Sequence, residues 1–88
     1  MARIHFASRL RHVAPPGVTE ISASTLREAL EAVFASHAPL RSYVVDEHGS
    51  LRKHVSIFVD GQRILPDGLD AAINPYTDIH VLQALSGG

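Results

Sequence analysis

One stretch limits the folds open to this chain more than any other. In Ser24-Thr25-Leu26-Arg27-Glu28 and the residues after it, Leu26, Ala29, Leu30, Val33 and Phe34 recur at i, i+3, i+4, i+7 and i+8. That spacing draws one apolar stripe along an α-helix. Thr25 and Glu28 have capping-box spacing, so each side chain is placed to satisfy a backbone N–H at the helix start. Arg27 and Glu31, four apart, take the solvent side. Pro39 ends the element, which gives a core-facing helix over residues 25–37. One helix with one apolar stripe needs a surface to lie on, and the rest of the chain reads as short strands.

Residues 4–10 alternate weakly, with Ile4 and Phe6 on one side and His5 and Ala7 on the other. They predict a first strand, which Arg9-Leu10-Arg11-His12-Val13 carries into the turn Ala14-Pro15-Pro16-Gly17. Val18–Ile21 is a short β-branched second strand. Residues 40–46, containing Tyr43-Val44-Val45, predict a third. Residues 54–59 predict a fourth, with Val55, Ile57 and Val59 on one face and Ser56 and Phe58 on the other. Asp60-Gly61 is a sharp hairpin turn whose geometry requires positive φ. Residues 69–73, framed by Pro66-Asp67-Gly68 and Asn74-Pro75, have room for a single helical turn. In the last strand, residues 78–85, Ile79 and Val81 alternate with His80. The order predicts an α+β fold: a mixed sheet of about five strands with one main helix on one face. Placing the last strand in the centre requires it to lie beside the first, in parallel.

Composition removes several classes of function. The chain has 88 residues and a formal net charge of −1, which bounds it to one small domain without a basic stripe for nucleic acid. No apolar run approaches a membrane span, and Met1-Ala2-Arg3-Ile4-His5 lacks an apolar signal region, so a cytoplasmic location is expected. There is no cysteine, hence no disulfide and no thiol nucleophile; any sulfur must come from outside. Six histidines invite a metal reading, but His37, His48 and His54 are scattered and no pair has the helical i, i+4 spacing of a zinc site. Asp67 and Asp70 are explained by turn chemistry.

After Leu85 the chain changes character, to Ser86-Gly87-Gly88. Glycine has the greatest backbone freedom of any residue, so residues 1–85 read as the domain and residues 86–88 as a flexible tail. A tail without β-carbons fits a narrow channel and can deliver a terminal carboxylate into another protein's active site. By themselves two glycines suit terminal fraying equally well.

Over nearly its whole length the chain resembles the β-grasp, ubiquitin-like sulfur carriers of the MoaD/ThiS family. It is most similar to the CysO-like branch, which serves thiocarboxylate-dependent cysteine synthesis. Leu10-Arg11-His12 before a Pro/Gly turn, Thr25-Leu26 at the helix start, the run from Lys53 to Val59, Gly68-Leu69 and the final Gly-Gly carry the likeness. Ile79-His80-Val81 also resembles the corresponding part of ubiquitin. Two positions depart from the pattern. Tyr76-Thr77 stands where the carriers place a Gly-Asp turn, and Gln83 stands where they often have proline.

The resemblance implies a protein cosubstrate rather than an enzyme. A free carboxylate is a poor electrophile and needs ATP to become an acyl-adenylate. The chain has no G-x-x-x-x-G-K-[ST] phosphate loop, so it binds no cofactor of its own and the ATP belongs to a partner. The family implies an E1-like adenylyltransferase of the ThiF/MoeB type, a sulfur donor, and a downstream acceptor such as a cysteine-synthase-like enzyme. Cysteine, thiamine and molybdopterin pathways all remain open. Gly88 is expected to carry the sulfur on its carboxylate and Gly87 to give access. The sheet face opposite the helix is expected to dock the partner through Phe58, His80 and Leu82, continued by Ala84, Leu85 and Ser86. The alternatives are a ubiquitin-like modifier conjugated through Gly88 and a passive interaction module. Polymeric conjugation is disfavoured because Lys53 is the only lysine.

Overall fold

The computed structural model describes residues 1–83. Five strands form one mixed sheet: β1 (Ala2–Phe6), β2 (Val18–Ile21), β3 (Val55–Val59), β4 (Gln62–Arg63) and β5 (Asp78–Gln83), in the order β2-β1-β5-β3-β4. The last strand is central and parallel to the first, with Ile4 beside Ile79 and Phe6 beside Val81. It runs antiparallel to β3, where Ile57 faces Val81. Period-2 alternation sends Ala2, Ile4, Val55, Ile57, Ile79 and Val81 to one side, where all are buried.

Helix α1 (Leu26–Ser36) covers that side, and its five stripe residues are all in the core. The capping box is real but offset. Glu28 N donates to Thr25 Oγ1 at 3.2 Å, while the Glu28 carboxylate accepts from Ser24 N at 3.0 Å, one residue before the cap. Arg27 and Glu31 do not pair with each other. Arg27 bridges Asp70 (2.7 Å) and the Gly49 carbonyl (2.8 Å), and Glu31 meets Arg41 at 3.3 Å. The helix is thereby tied to two loops.

Two expectations are corrected. Residues 40–46 are not a strand: a second helix, α2 (Ala38–Val44), takes them as far as Val44, and Val45 makes only an isolated bridge to Leu51. Pro39 sits in its first turn, where the missing N–H costs nothing, so the residue that ends α1 also starts α2. Leu40 and Val44, four apart, are fully buried, and that helical spacing outweighs the strand preference of Tyr43-Val44-Val45. The first strand also stops early. Beyond Phe6 the chain turns through a 3₁₀ helix, Ser8–Leu10, which delivers Leu10 to the core instead of continuing along the sheet.

Turns around β5 hold its start in place. Asp60 and Gly61 both have positive φ, and Asp60 Oδ1 accepts from Asp78 N at 2.9 Å. Thr77 is buried: its hydroxyl accepts from Asn74 N at 3.0 Å and its carbonyl accepts from Arg3 N at 3.0 Å. Thr77 closes this turn with a side-chain hydrogen bond at the position where the resembled carriers use Gly-Asp.

Candidate functional site

The sheet face away from α1 carries the candidate site. Strand register aligns one residue from each strand into a single row across it: Val18, His5, His80, Phe58 and Arg63. Leu82 lies two residues along β5 from His80, beside Ser56. Side chains directly opposite on neighbouring strands are about 5 Å apart, close enough to present one surface. Phe58 is half-buried and is absent from the apolar residues packed against the core, and Leu82 is 40% exposed. Both therefore lie on the outer face, as their alternation with Val55, Ile57, Ile79 and Val81 requires.

His80 has a neighbour that the sequence did not indicate. Its ring stacks on His5 with centroids 4.2 Å apart and planes 4° from parallel. His5 is held in turn by Asp78, whose Oδ1 lies 3.4 Å from His5 Nε2, and Arg3 donates to both oxygens of Asp78 at 3.1 Å. The stacked rings extend the flat apolar surface of Phe58 across β5 to β1. Arg3, Asp78 and Arg63 border it with charge. The available signal was His5 at an outward position of β1, but recognising it required the parallel register of the first and last strands.

The hydrogen bond from His5, then that from Arg3, hold the Asp78 carboxyl below its ordinary range, against a smaller opposing effect of desolvation. A carboxyl with a lowered folded pKa contributes stability above its unfolded pKa and loses it as pH falls through the folded value. Asp78→Asn should therefore be less stable than the parent near neutrality, the gap closing as pH falls below the ordinary Asp value of about 3.8. Urea midpoints of both proteins across that range check the sign. A gap independent of pH would mean that the pair does not act through charge.

Ala84, Leu85, Ser86, Gly87 and Gly88 lie outside the described residues. Among the described residues no group of three or more His, Asp or Glu side chains is placed to hold a metal ion, and no helix is long and apolar enough to cross a membrane. Among the described residues the face presents an aromatic and aliphatic centre inside a charged rim.

No protein-family model and no curated protein sequence matches the chain. Solved structures do. A chain in the crystal structure of the Amycolatopsis orientalis BexX/CysO complex superposes with a TM-score of 0.86 at 21% identity, covering 100% of both chains. The fold is the β-grasp of ubiquitin-like proteins. Two further β-grasp neighbours agree. Mycobacterium tuberculosis CysO gives a TM-score of 0.82 at 21% identity, over 97% of this chain and 100% of its own. The small archaeal modifier protein SAMP1 of Methanosarcina acetivorans gives 0.82 at 20% identity, over 99% and 95%. In this chain the sheet face away from α1 includes the central strand β5, which carries His80 and Leu82.

Proposed function

We propose that this chain is a sulfur carrier whose Gly88 carboxylate is activated by an E1-like adenylyltransferase and converted to a thiocarboxylate. The observation that carries the reading is the outer face. Phe58, His80 and Leu82 share the face away from α1, on and beside β5, the strand that Gly88 follows by five residues, and this reading makes that face the docking surface. Likeness to CysO structures supports the carrier class, and one of these is a complex with a second protein, BexX. The reading requires Gly88 to be the last residue of the acting protein.

The steps balance without a catalytic group on this chain. A Gly88 carboxylate oxygen attacks the α-phosphorus of ATP bound by the partner, and pyrophosphate leaves. Hydrosulfide from a sulfur donor then attacks the acyl carbon, AMP leaves, and the thiocarboxylate remains. Its sulfur is the nucleophile passed to a downstream acceptor, of which a cysteine-synthase-like enzyme is one form. Gly87, without a side chain, lets the terminus enter a narrow channel, and Ala84, Leu85 and Ser86 extend the contact from Leu82. Such a cycle belongs in the cytoplasm, with the adenylating enzyme and ATP.

Docking is tested by measuring ATP–pyrophosphate exchange by the cognate adenylating enzyme as this protein is titrated. Phe58→Ala should raise the concentration needed for half-maximal exchange by roughly fivefold or more, equivalent to about 1 kcal/mol, with the fold intact. Unchanged exchange together with a large loss of stability would make Phe58 a structural residue and displace the docking face. Similarity to SAMP1, a small archaeal modifier protein, gives a second reading: the same adenylate ends on a lysine amine of a target protein. An isopeptide-linked product in place of a thiocarboxylate would favour it.

A further inference from the structure

β4 is shorter than the strand it pairs with. Gln62 faces Val59 and Arg63 faces Phe58, Ile64 N donates to the Ile57 carbonyl at 2.9 Å, and the chain then leaves the sheet at Leu65-Pro66. Val55 and Ser56 pair with Gln83 and Leu82 on the β5 side. On the other side, among the described residues, no strand accompanies them; Val55 N donates back to the Arg52 carbonyl at 3.1 Å, so the Val55 carbonyl is the main-chain group that the edge presents there. This open stretch of edge borders a groove of about 520 Å³. Leu51, Val55 and Ile64 give it an apolar floor, and Arg52, Lys53 and Arg63 stand around it. Leu65, 72% exposed, forms part of the wall.

The charges at the groove are one-sided. Arg3, Arg27 and Arg41 each meet a carboxylate, whereas Arg52, Lys53 and Arg63 have none within 4.0 Å among the described residues. Arg52 is steadied by its Nε donating to the Ser42 carbonyl at 2.6 Å, and Asp46 feels its charge without pairing with it. Asp46, the acid beside Arg52, is committed to the N–H groups of His48 and Ser50. A strand edge next to an apolar floor accepts an extended chain; with Val55 N already bonded to the Arg52 carbonyl, the main-chain contribution is small and the apolar floor and the charges carry most of the selectivity. Three cations without a paired carboxylate favour acidic side chains at the remaining positions. No aromatic residue lines the groove, so it lacks the stacking platform that single-stranded nucleic acid uses.

We propose that this groove seats an extended acidic segment of a partner protein, added as a short strand where β4 stops. Apolar side chains of the segment rest on Leu51, Val55 and Ile64, and its carboxylates face Arg52, Lys53 and Arg63. The surface is separate from the Phe58/His80/Leu82 face except at Arg63, and it does not depend on sulfur loading.

The probe is an acetylated, amidated peptide, Glu-Val-Asp-Ile-Glu-Val-Asp, titrated into ¹⁵N-labelled protein. Amide shifts should concentrate in residues 51–56 and 63–65. Affinity should fall several-fold between about 50 and 300 mM salt, because the contacts are charged and exposed. Lys53→Glu should weaken binding by roughly tenfold, and Lys53→Gln by less, with spectra otherwise unchanged because Lys53 is exposed. A peptide with lysine at every acidic position should not bind. Shifts centred on His5, His80 and Leu82 would overturn the proposal. Equal affinity in Lys53→Glu, or tighter binding of an oligothymidylate than of the peptide, would overturn it as well.

Discussion

Leu30→Ala should destabilise the domain by about 2–5 kcal/mol. Leu30 lies in the middle of the α1 stripe, is 2% exposed, and belongs to the core formed where the helix crosses the sheet. Removing its isobutyl group loses the transfer free energy of the buried carbons and leaves a cavity that a helix anchored at its start cannot fully collapse. The Thr25 cap holds one end, and the Arg27–Asp70 pair restrains the first turn against a loop. Small domains have total stabilities of roughly 5–15 kcal/mol, so this one truncation removes a large share. The same chemical change at Leu65, which is 72% exposed, should cost under about 0.5 kcal/mol. Urea melts of both variants check the contrast. Similar midpoints would mean that the stripe does not form the core.

How much of this was readable in advance depended on whether the signal was local. The α1 stripe, its cap, the Asp60-Gly61 turn and the alternation of β5 are each written within a few residues, and the structure bears them out. So is the central, parallel placement of β5, which follows from giving the C-terminal strand two neighbours. The misreadings arose where local preference and tertiary packing disagree. Tyr43-Val44-Val45 has the composition of a strand, yet Leu40 and Val44 at i and i+4 were the stronger constraint, because both must reach the core from a helix. Arg9-Leu10-Arg11 continues the alternation of β1, but Leu10 enters the core only if the chain turns out of the sheet after Phe6. β4, two residues long, was too short to carry a pattern.

The candidate site divides in the same way. Phe58, His80 and Leu82 were legible because period 2 assigns each to the face opposite the core residues beside it. His5, Asp78 and Arg3 were not, because the stack and the ion pair join the first strand to the last and exist only through their parallel register. The groove beside β3 was also invisible. It is made by the place where β4 stops, and no residue pattern marks a strand's early end.

The second large effect concerns the terminus. Deleting Gly88, or adding a residue after it, should reduce thiocarboxylate formation from nearly complete to none while leaving the unfolding transition unchanged. Among the described residues the last core residue is Val81, and the deleted residue, Gly88, has no side chain to lose. The reaction, by contrast, needs one carboxylate at one place. A displaced terminus puts the wrong atoms at the adenylating centre, and small errors of position there cost orders of magnitude in rate.

Intact-protein mass spectrometry tests the account most directly. The native chain is incubated with its cognate adenylating enzyme, ATP and sulfide, alongside the variant extended beyond Gly88. The account predicts a gain of about 16 Da in the native chain, from replacement of one oxygen by sulfur. The gain should require all three additions together, and the extended variant should show none. A native chain that gains nothing with its true partner would contradict the account, as would an extended chain that gains the sulfur without first being cut back to Gly88.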